Sequence, residues 1–212
     1  KLGAIVGRYA NRIANGTATI KGKIYSFDKN QNKIHTLRGG SDGSAVRNWK
    51  IVQYNKSMVT FLDKLPDGHM GFPGNLTVET TYKVAQSTID IVIEASTDKT
   101  TLCNFTNHSY FNLDGTKNIA NHQLMVECDK VLPVDENGIP ISGPIFAKDL
   151  DLDFKTGRTL NNNGKPIEID HNFCISNTRQ NLRRNAFVTA KNISLELFST
   201  EPGLQVYTGK GL

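Results

Sequence analysis

The stretch LTVETTYK at residues 76–83 decides the fold, because apolar and polar side chains alternate along it with a period of two. Leu76 and Val78 fall on one face of an extended chain, and Glu79 and Lys83 fall on the other. This alternation is typical of a strand that packs one face against a core and turns the other to solvent. The stretch therefore predicts a β-strand.

Segments of the same kind recur on both sides of this strand. They lie at residues 89–94, 124–128 and 193–197. Turn-forming sequences separate them, for example Pro66-Asp67-Gly68 and Asn161-Asn162-Asn163-Gly164. No segment of helical length carries apolar residues with the 3.6-residue period of a helix. We therefore expect an all-β protein, a sandwich or a larger architecture of stacked sheets, in a single domain over residues 1–212.

Composition is that of an ordinary globular protein, with 38% hydrophobic and 21% charged residues. The net charge of +5 is dispersed, and the densest basic run, at residues 179–184, is too thin for a nucleic-acid surface. Cys103, Cys128 and Cys174 are widely spaced, which favours reduced thiols in a cytoplasmic protein. No apolar run approaches the roughly 18 residues of a membrane span. We expect neither a nucleic-acid nor a membrane partner.

Seven distinctive blocks follow one another along the chain. They are GRYANRI at 7–13, HTLRGG at 35–40, PDGHMGFPGNL at 66–76, NFTNHSYFNL at 104–113, LPVD at 132–135, DHNF at 170–173 and EPGLQVYTG at 201–209. In this order they resemble the motifs of the aldose 1-epimerase (galactose mutarotase) family. The resemblance implies the large twisted β-supersandwich of that family. It also implies a mutarotase, an isomerase that interconverts the α and β anomers of a free hexose such as galactose or glucose.

Mutarotation needs one group to deprotonate the C1 hydroxyl and another to protonate the ring oxygen, with the roles exchanged on ring closure. Histidine suits this work because its pKa lies near neutral pH. In an extended segment His108 shares a polar face with Asn104 and Thr106. A lone histidine is more often structural, but the resemblance implies that His108 is the catalytic acid. No cofactor is implied, and no side chains show metal-ligand spacing.

The resemblance also implies four substrate-binding residues: Asn11, Arg12, Asp170 and Gln205. Residue chemistry alone explains Asn11 equally well as a capping asparagine and Arg12 equally well as a surface arginine. Asp170 is equally typical of a turn, and Gln205 of the outer face of a strand. His171 follows Asp170 directly, so strand alternation points it away, and we interpret it as structural.

Two departures from the family pattern matter. Arg38 stands where the family has a substrate-site histidine, and it cannot give up its proton at neutral pH. We therefore expect Arg38 to bind substrate with altered preference, and His35 to be a poor substitute. In the family, the glutamate that serves as the catalytic base follows the last block, and it is not found in this chain. Missing first and last strands would leave unpaired sheet edges, so we expect a longer parent chain whose supersandwich is incomplete here at both ends.

Two other functions are compatible with the sequence. One is a non-catalytic carbohydrate-binding or sensing module on the same fold, which Arg38 and the missing glutamate would explain. The other is a sugar-phosphate 1-epimerase, in which Arg38 meets a phosphate. Either way we expect a small sugar as the partner of a monomer or homodimer. His69 and His122 lie in polar sequence, and we expect both to be exposed.

Overall fold

The computed structural model describes residues 2–210, and it is built almost entirely of short antiparallel strands joined by turns. The all-β prediction is therefore confirmed. The chain divides into two compact units, one up to Tyr110 and one from Phe111 onward. The single domain over residues 1–212 stays a prediction. None of the helical turns within residues 2–210 has the length and hydropathy needed to cross a membrane.

The first unit contains ten of the described strands and three 3₁₀ turns. The strands are β1 Ile5–Val6, β2 Arg12–Ile13, β3 Thr17–Ile20, β4 Lys23–Ser26, β5 Thr36–Leu37, β6 Lys50–Tyr54, β7 Met58–Leu65, β8 Leu76–Ala85, β9 Thr88–Thr97 and β10 Thr106–Asn107. The 3₁₀ turns are Ala14–Gly16, Ser44–Val46 and His69–Gly71. The LTVETTYK stretch lies in β8, as its alternation predicts.

One four-stranded sheet, in the order β6-β7-β8-β9, is the largest element of this unit. Leu65, Leu76 and Val78 are buried on one of its faces, where Phe105 packs against them. Three two-stranded ladders accompany the sheet: β1-β10, β2-β5 and β3-β4. A second small core holds Phe27 and Phe72, whose rings stack with centroids 4.4 Å apart. The candidate site residues of the first unit lie in or directly beside the β2-β5 and β1-β10 ladders.

The second unit also contains ten described strands, with one 3₁₀ turn at Ala147–Leu150. The strands are β11 Gln123–Val126, β12 Lys130–Val131, β13 Ile145–Phe146, β14 Arg158–Thr159, β15 Asn161–Asn162, β16 Lys165–Pro166, β17 Asp170–Cys174, β18 Arg183–Ala190, β19 Ile193–Ser199 and β20 Gly203–Tyr207. Two four-stranded sheets result, β14-β11-β18-β19 and β13-β12-β17-β20, beside the small β15-β16 pair.

A single cluster of buried apolar side chains fills the second unit. Phe154 and Phe173, both fully buried, meet edge to face with centroids 6.3 Å apart. Val126 of β11 and Val131 of β12 are fully buried in the same cluster. Full burial of such side chains contributes about 1.5–3 kcal/mol each. This core fixes the β17-β20 pair, on which Asp170 and Gln205 lie.

Candidate active site

Arg8, the arginine of GRYANRI that precedes Asn11, is 1% exposed. Its Nη1 donates to the backbone oxygens of Pro73 (3.0 Å) and Gly74 (2.9 Å), and its Nη2 donates to that of Leu65 (3.2 Å). The guanidinium also lies 5.6 Å from the centroid of the Phe72 ring. Burial lowers its pKa, yet an arginine stays charged at neutral pH. Arg8 therefore ties the GRYANRI block to the PDGHMGFPGNL block and has a structural role.

Two glycines bring further motif blocks against the same segment. A Cβ on Gly7 would lie 2.1 Å from the Phe105 ring, and a Cβ on Gly39 would lie 2.0 Å from the carbonyl oxygen of Gly7. Neither position therefore has room for a side chain, and Gly39 also has a φ of +79°. The TLRGG turn and the NFTNHSYFNL block both need this close approach.

The β2-β5 ladder joins the segments of three predicted substrate-binding residues. Arg12 lies opposite Leu37, and the amide of Arg38 donates to the carbonyl oxygen of Asn11 at 3.3 Å. The side chain of Arg12 donates from Nε to Gln31 Oε1 (3.1 Å) and from Nη1 to Asn11 Oδ1 (3.3 Å). The structure therefore assembles the backbone of Asn11, Arg12 and Arg38 in one place.

Arg38 combines a positive φ angle with a guanidinium that the described residues do not bind. It is half-buried with a φ of +56°, a conformation that few residues other than glycine adopt. Within residues 2–210, its guanidinium has no hydrogen-bond or ion-pair partner. Arg38 thus differs from Arg8, whose two terminal guanidinium nitrogens both donate to backbone oxygens.

His108 follows directly on the β1-β10 ladder. Its amide donates to the carbonyl oxygen of Ala4, and its own carbonyl accepts from the amide of Gly3, both at 2.9 Å. The half-buried imidazole stacks on Tyr110, with centroids 5.1 Å apart and planes at 22°. Stacking and the backbone bonds restrict the orientation of the ring.

The alternation expected around His108 is observed in the preceding residues. Asn104 and Thr106 are exposed, whereas Phe105 and Asn107 are half-buried, and Asn107 Nδ2 donates to Tyr82 Oη at 3.1 Å. The amide of Asn104 donates to the carbonyl oxygen of Arg8 at 2.8 Å, which links this block to GRYANRI. The segments of Asn11, Arg12, Arg38 and His108 are thus connected through backbone hydrogen bonds of one unit.

The other two predicted site residues lie together in the second unit. Gln205 of β20 pairs with Asn172 of β17, and Gln205 Nε2 donates to Asp170 Oδ1 at 2.7 Å. An open cleft of about 460 Å³ lies at this end of the strand pair. Its lining residues are Asp135, Glu168, Ile169, Asp170, His171, Tyr207 and Lys210. Asp170 therefore presents a carboxylate, oriented by Gln205, to a cavity.

The predictions for two other histidines are wrong. His122, expected to be exposed, is 1% exposed, and its Nε2 accepts from the amide of Leu113 at 2.9 Å. It is buried because it lies two residues before Leu124 and four before Val126, on the same inward face of the chain that continues into β11. This period-two pattern is present in the sequence. His69, also expected to be exposed, is 12% exposed and bonds Asp42 Oδ2 at 2.9 Å.

The position of His35 agrees with its prediction, whereas that of His171 differs from what strand alternation predicts. His35 is buried, and its Nδ1 accepts from the amide of Asn15 at 3.0 Å, in keeping with its expected unsuitability as a substrate residue. His171, expected to face away from Asp170, instead lines the same cleft. β17 begins at Asp170, and the cleft at this end of the strand is lined by both residues. Burial lowers the pKa of His171, and Asp170 only partly opposes that effect.

Comparison with known proteins agrees with the motifs and the fold. The family model for aldose 1-epimerase matches residues 1–212. The aldose 1-epimerase of Escherichia coli K12 is 36% identical over all of this chain, and human galactose mutarotase is 36% identical over 99% of it. The chain spans 64% and 63% of the lengths of these two relatives, just under two thirds.

Solved structures give the same result. A GalM/aldose epimerase homologue from C. elegans superposes with a TM-score of 0.91 at 29% identity, covering all of this chain and 66% of its own. A galactose 1-epimerase from Lactobacillus acidophilus superposes with a TM-score of 0.86 at 25% identity, covering 99% and 64%. The predicted galactose mutarotase-like fold is confirmed. The chain belongs to the aldose 1-epimerase family.

Proposed function

We propose that the protein is an aldose 1-epimerase, a mutarotase that interconverts the α and β anomers of a free hexose such as galactose or glucose. The observation that carries the proposal is the environment of His108. Its backbone is bonded to residues 3 and 4, its ring is stacked on Tyr110, and its segment is joined to that of Asn11. A titratable ring held in this way can deliver a proton in a fixed direction.

In the proposed mechanism, His108 protonates the ring oxygen of the sugar while a base removes the proton of the C1 hydroxyl. The ring opens, the C1–C2 bond rotates, and reclosure on the other face returns both protons. Asp170, oriented by Gln205, accepts hydrogen bonds from sugar hydroxyls. Asn11 and Arg12 contribute donors to the sugar. The chemistry consists of proton transfers alone, so we propose that it needs no cofactor.

The test is the polarimetric decay of freshly dissolved α-D-galactose with the complete protein. We expect the native protein to accelerate the decay and the variant His108→Asn to lose at least 100-fold of the rate, within the usual contribution of a general acid of about 10²–10⁴-fold. His69→Asn is the matched control, because His69 bonds only Asp42 among the described side chains. Equal rates for His108→Asn and the native protein would remove His108 from the mechanism.

Arg38 supports a second candidate, a 1-epimerase for a phosphorylated hexose. Its half-buried guanidinium has no partner among residues 2–210, and arginine binds phosphate through paired donors. Comparing D-galactose with its 6-phosphate as substrates separates the two activities. Saturable galactose binding without faster mutarotation would instead indicate a carbohydrate-binding or sensing module.

We also propose that the protein acts in the cytoplasm, as a monomer or homodimer, with the sugar as its partner. The support for the location is the state of the cysteines. Cys128 and Cys174 are free thiols, and both are at least partly buried. Burial raises the pKa of Cys174, which makes that thiol less reactive. Thiols of this kind are typical of reducing compartments.

A further inference from the structure

The two ring nitrogens of His171 differ in burial. Its Nδ1 is buried and has no hydrogen-bond partner within residues 2–210. Its Nε2 also makes no hydrogen bond in that part of the chain, yet it is not among the buried polar atoms. Since the residue lines the cleft that holds Asp170, we infer that Nε2 is the ring nitrogen that meets this cleft.

The protonation state of the ring follows from this asymmetry. Burial lowers the pKa of His171, so the imidazole is neutral at neutral pH. A neutral imidazole carries one proton, on either nitrogen. Nδ1 has no partner in either tautomer, so the surroundings of Nε2 decide between the two. The carboxylates that line the cleft favour a proton on the accessible ring nitrogen, so the proton resides on Nε2, where it serves as a hydrogen-bond donor.

The other polar groups of the cleft supply mainly acceptors. Asp170 Oδ1 already accepts from Gln205, and Glu168 pairs with Lys210 at 2.6 Å. Asp135 Oδ1 accepts the amides of residues 137 and 139 and is engaged in its own turn. An uncharged donor beside carboxylates suits a hydroxyl group, which accepts from one side and donates to the other. The volume of about 460 Å³ is within the range of small-molecule sites.

We propose that His171 is a further substrate-binding residue, whose Nε2–H donates to a non-reacting hydroxyl of the sugar in the cleft of Asp170. The inference rests on the proposed function, because it names a contact of the same substrate. It assigns His171 to recognition and leaves proton transfer to other groups. It also gives the second residue of the DHNF block a role in deciding which hexose is accepted.

The test compares steady-state mutarotation by the native protein and by His171→Phe and His171→Gln. Phenylalanine keeps a ring but has no donor, so we expect KM for D-galactose to rise roughly 3- to 10-fold, the value of one hydrogen bond, with kcat little changed. Glutamine restores a donor at a similar reach and should recover most of that loss. An unchanged KM in His171→Phe would overturn the proposal.

A series of deoxygalactoses distinguishes recognition from a merely structural role. The sugar that lacks the contacted hydroxyl should have the same KM with the native protein and with His171→Phe, while the other sugars keep the difference. If the KM ratio is the same for every deoxygalactose, the ring supports the site only indirectly, and the proposed hydrogen bond is overturned.

Imidazole ¹⁵N NMR separates this proposal from the mutarotase proposal. We expect the Nε2–H tautomer at His171, with its Nε2 signal shifted by added D-galactose and the signals of the buried His122 unchanged. A galactose-dependent shift without faster mutarotation supports the His171 contact and overturns the proposed function. Faster mutarotation without any shift at His171 does the reverse.

Discussion

Arg8 and Asp170 are both charged, but Arg8 is enclosed by the protein, whereas Asp170 lines an open cleft. Arg8 is 1% exposed, and its guanidinium donates to the backbone oxygens of Leu65, Pro73 and Gly74. Asp170 has one oxygen oriented by Gln205 and lies on an open cleft of about 460 Å³. Both residues come from distinctive blocks of the sequence. The difference teaches that a motif residue whose charged group is enclosed by distant backbone oxygens holds the fold, whereas one that lines an open cleft is the better candidate for a ligand contact.

Two histidines repeat the comparison on a smaller scale. His122 and His171 each have a buried Nδ1 without a partner among residues 2–210. Nε2 of His122 accepts the amide of Leu113, so both nitrogens of that ring are enclosed by the protein. Nε2 of His171 is not enclosed in this way, and the residue lines the cleft of Asp170. The two histidines therefore share a buried Nδ1 and differ in whether Nε2 is enclosed.

The largest expected effect concerns the stability of the Arg8 region. Arg8→Met would leave the backbone oxygens of Leu65, Pro73 and Gly74 buried without their charged donor, and we expect a loss of about 3–5 kcal/mol in the free energy of unfolding. Urea denaturation of the complete protein measures it. The matched control is Arg38→Met, which removes a guanidinium that has no hydrogen-bond or ion-pair partner within residues 2–210 and should cost less than about 0.5 kcal/mol. Equal losses in the two variants would break the comparison.

A smaller effect, on activity, is expected at Asp170. Asp170→Asn replaces a charged acceptor with a neutral one, and we expect kcat/KM for galactose mutarotation to fall roughly ten- to hundredfold. Stability should change little, because the amide oxygen can still accept from Gln205. The control is Asp151→Asn, at an exposed ion pair with Arg158. A large loss of stability in Asp170→Asn would place Asp170 with Arg8 instead.

The smallest expected effect is the pH dependence contributed by Asp42. The hydrogen bond from His69 is the main cause that lowers the pKa of Asp42 below its ordinary value, and Arg47 adds to it. A lowered folded-state pKa gives stability that is present above the unfolded pKa and is lost as pH falls through the folded pKa. The side chain is 51% exposed, so screening limits the contribution to less than about 1 kcal/mol.

Unfolding free energies measured from about pH 6 to about pH 3 test this expectation, since carboxylates titrate in that range. Asp42→Asn should flatten the acid limb of the native profile slightly and leave its neutral part lower by the same small amount. An identical slope in both proteins would show that the Asp42–His69 contact contributes nothing to stability.

Much of the fold was predictable because strand patterning is local. The alternation in LTVETTYK depends only on neighbouring residues, and β8 forms where it predicts. The exposed Asn104 and Thr106 beside the half-buried Phe105 follow from the same rule. His122 could have been placed correctly by it as well, since it shares the register of Leu124 and Val126.

The sequence by itself determined the strand pattern, the family motifs and the identity of the candidate site residues, because those depend on residue type, order and spacing. Only the tertiary structure decided that Arg8 is enclosed by distant carbonyl groups, that Arg38 is not, and that His171 reaches the cleft of Asp170. Arg8 and Pro73 are 65 positions apart in the chain. Whether a polar atom is satisfied depends on such distant partners, and no local pattern specifies them.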